Sequence, residues 1–188
     1  MKRNILAQGD RDGACFLYSI ANAVGALTKG AITQAQWKNW IQSSPFCMND
    51  FIKGDGTKKI DSKHHHLGGL CSDLFDTLMK SSKKMNGCFE VEWINGLNSI
   101  KKLGAVLSPS KVLIMGINND EHWVTIVDVD GKDVFISCSA EALNGVSEYF
   151  EKKSPKLNRF YNKKTTFHDL EAGEGYGLLI SLSPKLEV

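Results

Sequence analysis

The sequence predicts an α+β domain in which an N-terminal helical part packs against a mainly antiparallel β-sheet. Three observations predict it. The first part of the chain carries apolar residues at three- and four-residue spacings, as in Phe16, Leu17, Ile20, Val24 and Leu27. The second half carries short alternating or all-apolar runs, such as Phe89-Glu-Val-Glu-Trp93 and Lys111-Val-Leu-Ile-Met-Gly-Ile117. Asp130-Gly131 then joins two β-rich runs in the manner of a tight hairpin. Strands that follow helices, instead of alternating with them, place the chain in the α+β class.

Length and composition narrow the function classes. A chain of 188 residues that is 42% hydrophobic reads as one domain, 1–188, with a sizeable core. Its formal charge of +2 is too balanced to make nucleic acid the expected partner. The paired lysines, at 83-84, 101-102, 152-153 and 163-164, read as solvated surface. Five cysteines, at 15, 47, 71, 88 and 138, are an odd number without the close pairing of a zinc site, so reduced thiols are expected and no metal or cofactor is required. No apolar run has the length of a signal-peptide core or a membrane span. A soluble cytoplasmic protein is expected, or one delivered into a host cytosol without a cleaved signal; no pattern bears on its oligomeric state.

The elements follow in order. Gly9, Asp10, Asp12 and Gly13 form a turn, with Asp12 as the expected N-cap of a helix that opens at Cys15 and ends at Gly30. Thr33 and Gln36 form a capping box before a short helix bearing Trp37, Trp40 and Ile41. Residues 43–66 read as loop, ending in His64-His65-His66, a solvated triplet that regular structure could not turn toward one ion. Leu67, Leu70, Cys71, Leu74, Leu78 and Met79 keep helical spacing, with Cys71 on the packed stripe. A strand at 89–93, a short helix within Asn95–Leu103 and a strand at 111–117 come next. The hairpin runs from His122 to Ser139, and the strand Tyr176–Leu182 closes the series.

Two residue types in this frame point to thiol chemistry. A cysteine at a helix N-terminus lies at the positive end of the macrodipole, which favours the attacking thiolate. Cys15 is therefore the candidate nucleophile. His122 stands at the mouth of a strand, after a polar loop and before Trp123-Val-Thr-Ile-Val127, where it can face a cleft and act as general base and acid. His168, before a Gly-rich turn, reads as structural or exposed.

The order of Gln8, a turn, Cys15 opening a helix, and a much later His122-aromatic at a hairpin resembles the papain-like cysteine peptidases. Within that superfamily, His122-Trp-Val-Thr-Ile-Val followed by a Gly turn resembles the peptidase domains of bacteriocin-processing transporters. Asp12-Gly-Ala-Cys15 is also similar to the signature of ovarian-tumour-type deubiquitinases. The resemblance implies Cys15 as nucleophile, His122 as base and acid, and Gln8 as a side-chain donor to the oxyanion beside the Cys15 N–H. It implies a protein or peptide substrate cut at a peptide or isopeptide bond through an acyl-thioester. Glutamine deamidation by the same Cys-His pair, and an inactive papain-like binding module, are the alternatives.

The residue that orients His122 is the open position. The resemblance calls for Asp or Asn on the second hairpin strand, but that place falls near Ser137-Cys138-Ser139. With Asp130 and Gly131 as the loop, His122 faces Ser139, and Ser137 lies diagonal on the same side. A four-residue loop brings Glu141 opposite instead. Asp128 shares the His122 face but lies roughly 20 Å along the strand, too far to touch it.

Overall fold

Helix α1, Cys15–Leu27, lies across one face of a six-stranded sheet in the computed structural model. The structure describes residues 4–7, 14–29, 33–43, 87–119, 121–140, 151–173 and 175–183. The expected loop at 43–66, its histidine triplet and the helix expected at 67–79 fall essentially outside these residues. Among the described residues ten further helices and strands follow α1: α2 Gln34–Ser43, β1 Cys88–Ile94, α3 Ile100–Val106, β2 Lys111–Ile117, β3 His122–Asp130, β4 Asp133–Ser137, β5 Lys152–Lys153, β6 Phe160–Tyr161, β7 Lys163–Thr166 and β8 Gly177–Ser183. A 3-10 turn at His168–Leu170 precedes β8.

The main sheet has the order β1-β8-β2-β3-β4-β7, and every pairing in it is antiparallel. Its two faces are separated by the alternation of β2. Val112 and Ile114 join Phe16, Ile20 and Val24 of α1, together with Trp123, Leu178 and Ile180. Leu113, Met115 and Ile117 join Leu103 of α3, Val124, Ile126, Ile136 and Leu170 on the opposite face. A strand buried on both faces has no reason to alternate in polarity, which accounts for the nearly all-apolar run of β2. The last strand enters between β1 and β2 at Gly177. There an added Cβ would lie 2.6 Å from the Ile114 carbonyl oxygen and 2.8 Å from Leu113 Cδ1, so only glycine fits this close approach.

Helix ends depart from the expected signals. Ala14, not Asp12, is the N-cap of α1 and makes no side-chain cap bond; Asp12 lies outside the described residues. The helix ends at Leu27, before Gly30, because Thr28 turns its N–H and hydroxyl to the Val24 carbonyl and Lys29 takes a positive φ of 56°. The Thr33–Gln36 capping box forms as expected: Gln36 N–H donates to Thr33 Oγ1 at 3.2 Å, and Thr33 N–H donates to Gln36 Oε1 at 2.8 Å. Helix α3 begins five residues later than the expected start, since Ser99 supplies the cap by accepting from Lys102 N–H.

Candidate active site

Cys15 is the first residue of α1 and is 6% exposed. Its Sγ accepts from the backbone N–H of Trp123 at 3.5 Å, so the thiol lies against the start of β3, next in sequence to His122. The first amides of a helix have no acceptor within it and carry the positive end of its dipole, a field suited to a thiolate.

Two hydroxyls lock this arrangement. Ser19 Oγ stands 2.8 Å from the Cys15 carbonyl and 2.9 Å from the Trp123 carbonyl, while Thr125 Oγ1 donates to the Ser19 carbonyl at 2.7 Å. Ser19 is one turn after Cys15, and Thr125 is on the α1 face of β3, so the contacts set the helix's height along the strand. Phe16 packs edge-on against Trp123 at 5.0 Å, and Tyr176 continues the aromatic row to Trp93. Ser19→Ala should lower stability by about 1–2 kcal/mol, the cost of losing a buried hydrogen-bond partner. Urea unfolding checks this, and an unchanged midpoint would refute the lock.

Gln8 lies outside the described residues, but the chain that leads to it is held. Leu6 N–H donates to Asn22 Oδ1 at 2.7 Å, seven residues beyond Cys15 on α1. Glu151 accepts from the N–H groups of Asn4 and Ile5 at 2.8 and 2.7 Å. The segment 4–7 is thereby strapped along the helix that carries the thiol.

His122 is half-buried, and its Nε2 lies 3.2 Å from Cys138 Sγ. This corrects the expected hairpin register. Asp130 pairs with Asp133, leaving Gly131 and Lys132 as the loop, with the positive φ of 58° at Gly131. A bulge between Ile126 and Asp128 then shifts the pairing by one, giving Thr125 opposite Ser137. Continued toward the mouth, this register sets Val124 against Cys138 and His122 against Ala140, which places Cys138 on the His122 face of the sheet. Ser137 falls on the other face and donates its hydroxyl to the Phe160 carbonyl at 2.7 Å. Ser139 also falls on that face, opposite Trp123, and is buried. Glu141 lies outside the described residues.

The bulge has a visible cause. Arg159 is 5% exposed and donates from Nη1 to the carbonyls of Val127 at 3.1 Å and Lys111 at 2.8 Å. From Nη2 it donates to the carbonyls of Ser108 and Pro109 at 2.6 and 2.9 Å. Burial lowers its pKa to about 10, and the nearby Asp128 charge acts in the opposite direction, so the guanidinium stays charged at neutral pH. Asp128 in turn accepts from the N–H groups of Lys156 and Leu157, each at 2.9 Å, holding the turn that delivers Arg159. Neither residue carried a sequence signal of this role, because bulge and guanidinium meet only in the folded sheet.

The contact of Cys138 with His122 is what sequence reasoning missed. It could have been found only by counting the bulge into the hairpin. His168 is exposed on the 3-10 turn, as expected. Among the described residues no group of three His, Cys, Asp or Glu side chains could hold a metal ion. The described cysteines, 15, 88 and 138, are not in disulfides. No described helix is long and apolar enough to cross a membrane.

The chain matches a solved double glycine motif protease from an AMS/PCAT transporter, in complex with the leader peptide. The match has a TM-score of 0.50 at 11% identity and covers 96% of this chain and 91% of that one. The fold is papain-like. No family model and no curated protein sequence matches this chain, so the papain-like likeness is carried by backbone arrangement alone.

Proposed function

We propose that the protein is a papain-like cysteine peptidase that cleaves a peptide or isopeptide bond in a protein or peptide. The observation that carries this reading is the 3.5 Å contact between Cys15 Sγ and the Trp123 N–H, which joins the head of the helix to the strand position next to His122. In this reading His122 takes the Cys15 proton on Nδ1, and the thiolate adds to the substrate carbonyl carbon. The C–N bond then breaks as the leaving nitrogen takes that proton, giving an acyl-thioester and a free amine. Water, deprotonated by His122, attacks the thioester, releases the carboxylate and returns the proton to the thiol. Gln8 and the Cys15 N–H are the proposed oxyanion donors, and the strapping of residues 4–7 along α1 supports that placement of Gln8.

The peptide-bound neighbour supports a peptide substrate, and a mixture of synthetic peptides that includes internal Gly-Gly sequences is a suitable probe. Mass spectrometry should show cleavage by the wild type and none by Cys15→Ala. Conversion of glutamine to glutamate without cleavage would replace peptidase by deamidase, and cleavage retained in Cys15→Ala would overturn the assignment.

Thiol labelling gives an independent expectation. Cys88 is exposed whereas Cys15 is 6% exposed, so exposure alone predicts that Cys88 reacts first. Activation predicts the reverse order. Brief iodoacetamide treatment near neutral pH, read by peptide mapping, should label Cys15 first of the five cysteines. Protection of Cys15 while Cys88 labels would refute its role.

A further inference from the structure

We propose that Cys138 is the residue that orients His122, a thiol sulfur occupying the place where a carboxylate or amide was expected. The inference rests on the reading of Cys15 and His122 as the reacting pair. Its ground is the 3.2 Å separation of His122 Nε2 and Cys138 Sγ, produced by the bulged register.

The local structure holds Cys138 at its backbone. Strand β4 stops at Ser137, but Asn162 extends the ladder with its side chain. Cys138 N–H donates to Asn162 Oδ1 at 2.8 Å, and Asn162 Nδ2 donates to the Cys138 carbonyl at 2.8 Å. Asn162 is 7% exposed, and its own N–H donates to the Ile136 carbonyl at 3.0 Å. Cys138 is 2% exposed among apolar residues of the face opposite α1. A thiol that served only to fill that core would need no polar neighbour; this one has an imidazole nitrogen in hydrogen-bonding range.

Tautomer chemistry decides which way the bond must run. If the Cys138 S–H donated to Nε2, the ring proton would sit on Nδ1, which would then offer no lone pair to Cys15. With the sulfur as acceptor, Nε2 keeps its proton and Nδ1 is the basic nitrogen. Sulfur is a weaker acceptor than a carboxylate oxygen, so the arrangement orients the ring while supplying less charge against the imidazolium.

Three variants at this position test the role, with p-nitrophenyl acetate hydrolysis as the activity. Cys138→Ala should lower kcat about tenfold with KM unchanged, since the loss falls on the chemical step. Cys138→Asp should restore kcat to the wild-type value or above it, because it supplies a stronger acceptor at the same place. Wild-type kcat in Cys138→Ala overturns the proposal, and so does a folded Cys138→Asp that remains as slow as the alanine form. Should the buried carboxylate prevent folding, Cys138→Ser decides: its hydroxyl oxygen should keep kcat above that of Cys138→Ala, and equal values overturn the proposal. Cys15→Ala separates this inference from the reading beneath it. Loss of activity in Cys15→Ala with none in Cys138→Ala refutes the orienting role alone, whereas activity kept in Cys15→Ala refutes both.

Discussion

His122→Ala should slow acyl transfer at Cys15 by about a thousandfold, a barrier increase of about 4 kcal/mol, since a positioned acid–base group contributes of that order. On the proposed pairing of Cys15 with His122, the same substitution should move the alkylation of Cys15 toward alkaline pH, because an imidazolium neighbour favours the thiolate. His168→Ala is the matched control. His168 is exposed on its 3-10 turn, and its removal should leave both rates unchanged. Single-turnover kinetics on p-nitrophenyl acetate, with iodoacetamide labelling across pH, measure the two effects together. An unchanged alkylation profile in His122→Ala would show that the histidine does not act on this sulfur.

The second large effect is expected far from the thiol. Arg159→Met removes five N–H donors while nearly keeping the apolar stem, and it takes a charged donor from the carbonyls of Val127, Pro109, Lys111 and Ser108, of which the last two keep their mutual backbone bonds. Breaking a buried charged network of this kind costs roughly 3–5 kcal/mol. In a domain of this size that is a fall in Tm on the order of 10 °C. The Val127 carbonyl also loses the partner that stabilises the bulge, so the variant should lose Cys15 reactivity in addition to stability. Asp128→Asn should cost less, because its amide oxygen can still accept from the turn amides of Lys156 and Leu157. Thermal unfolding of the two variants tests this, and a Tm for Arg159→Met close to the wild-type value would refute it.

The elements that the sequence revealed are those whose cause is local. Strand β2 coincides with the predicted 111–117 run, and the Thr33–Gln36 box forms, because apolar runs and capping pairs act over a few residues. The antiparallel character of the sheet was legible from the Asp130-Gly131 turn and the helices-then-strands order. What escaped prediction depends on distant partners. The turn slid to Gly131-Lys132, and the Val127 bulge exists because Arg159, thirty-two residues later in the chain, captures its carbonyl. The turn shift changes the pairing by two and keeps Ser137 on the His122 face; the bulge changes it by one, which moves Ser137 off that face and puts Cys138 on it. The same separation hid the clamp made by Asn162, which lies twenty-four residues from Cys138.

The placement of β8 also bears on the order in which the protein can be assembled. In the sheet order β1-β8-β2, the early strand Cys88–Ile94 reaches the others only through Gly177–Ser183. The Glu151 clasp on Asn4 spans 147 positions. Such contacts repay the entropy of closing their loops only when nearly all of this chain has been made, which gives the domain a high contact order and slow folding. A nascent chain emerging from the ribosome carries Cys15 long before it carries the strand that completes the sheet beneath α1. The thiol is made early and its surroundings late, so a half-synthesised chain holds an ordinary cysteine, and the contacts of Cys15 with β3 form only once the later strands have been made.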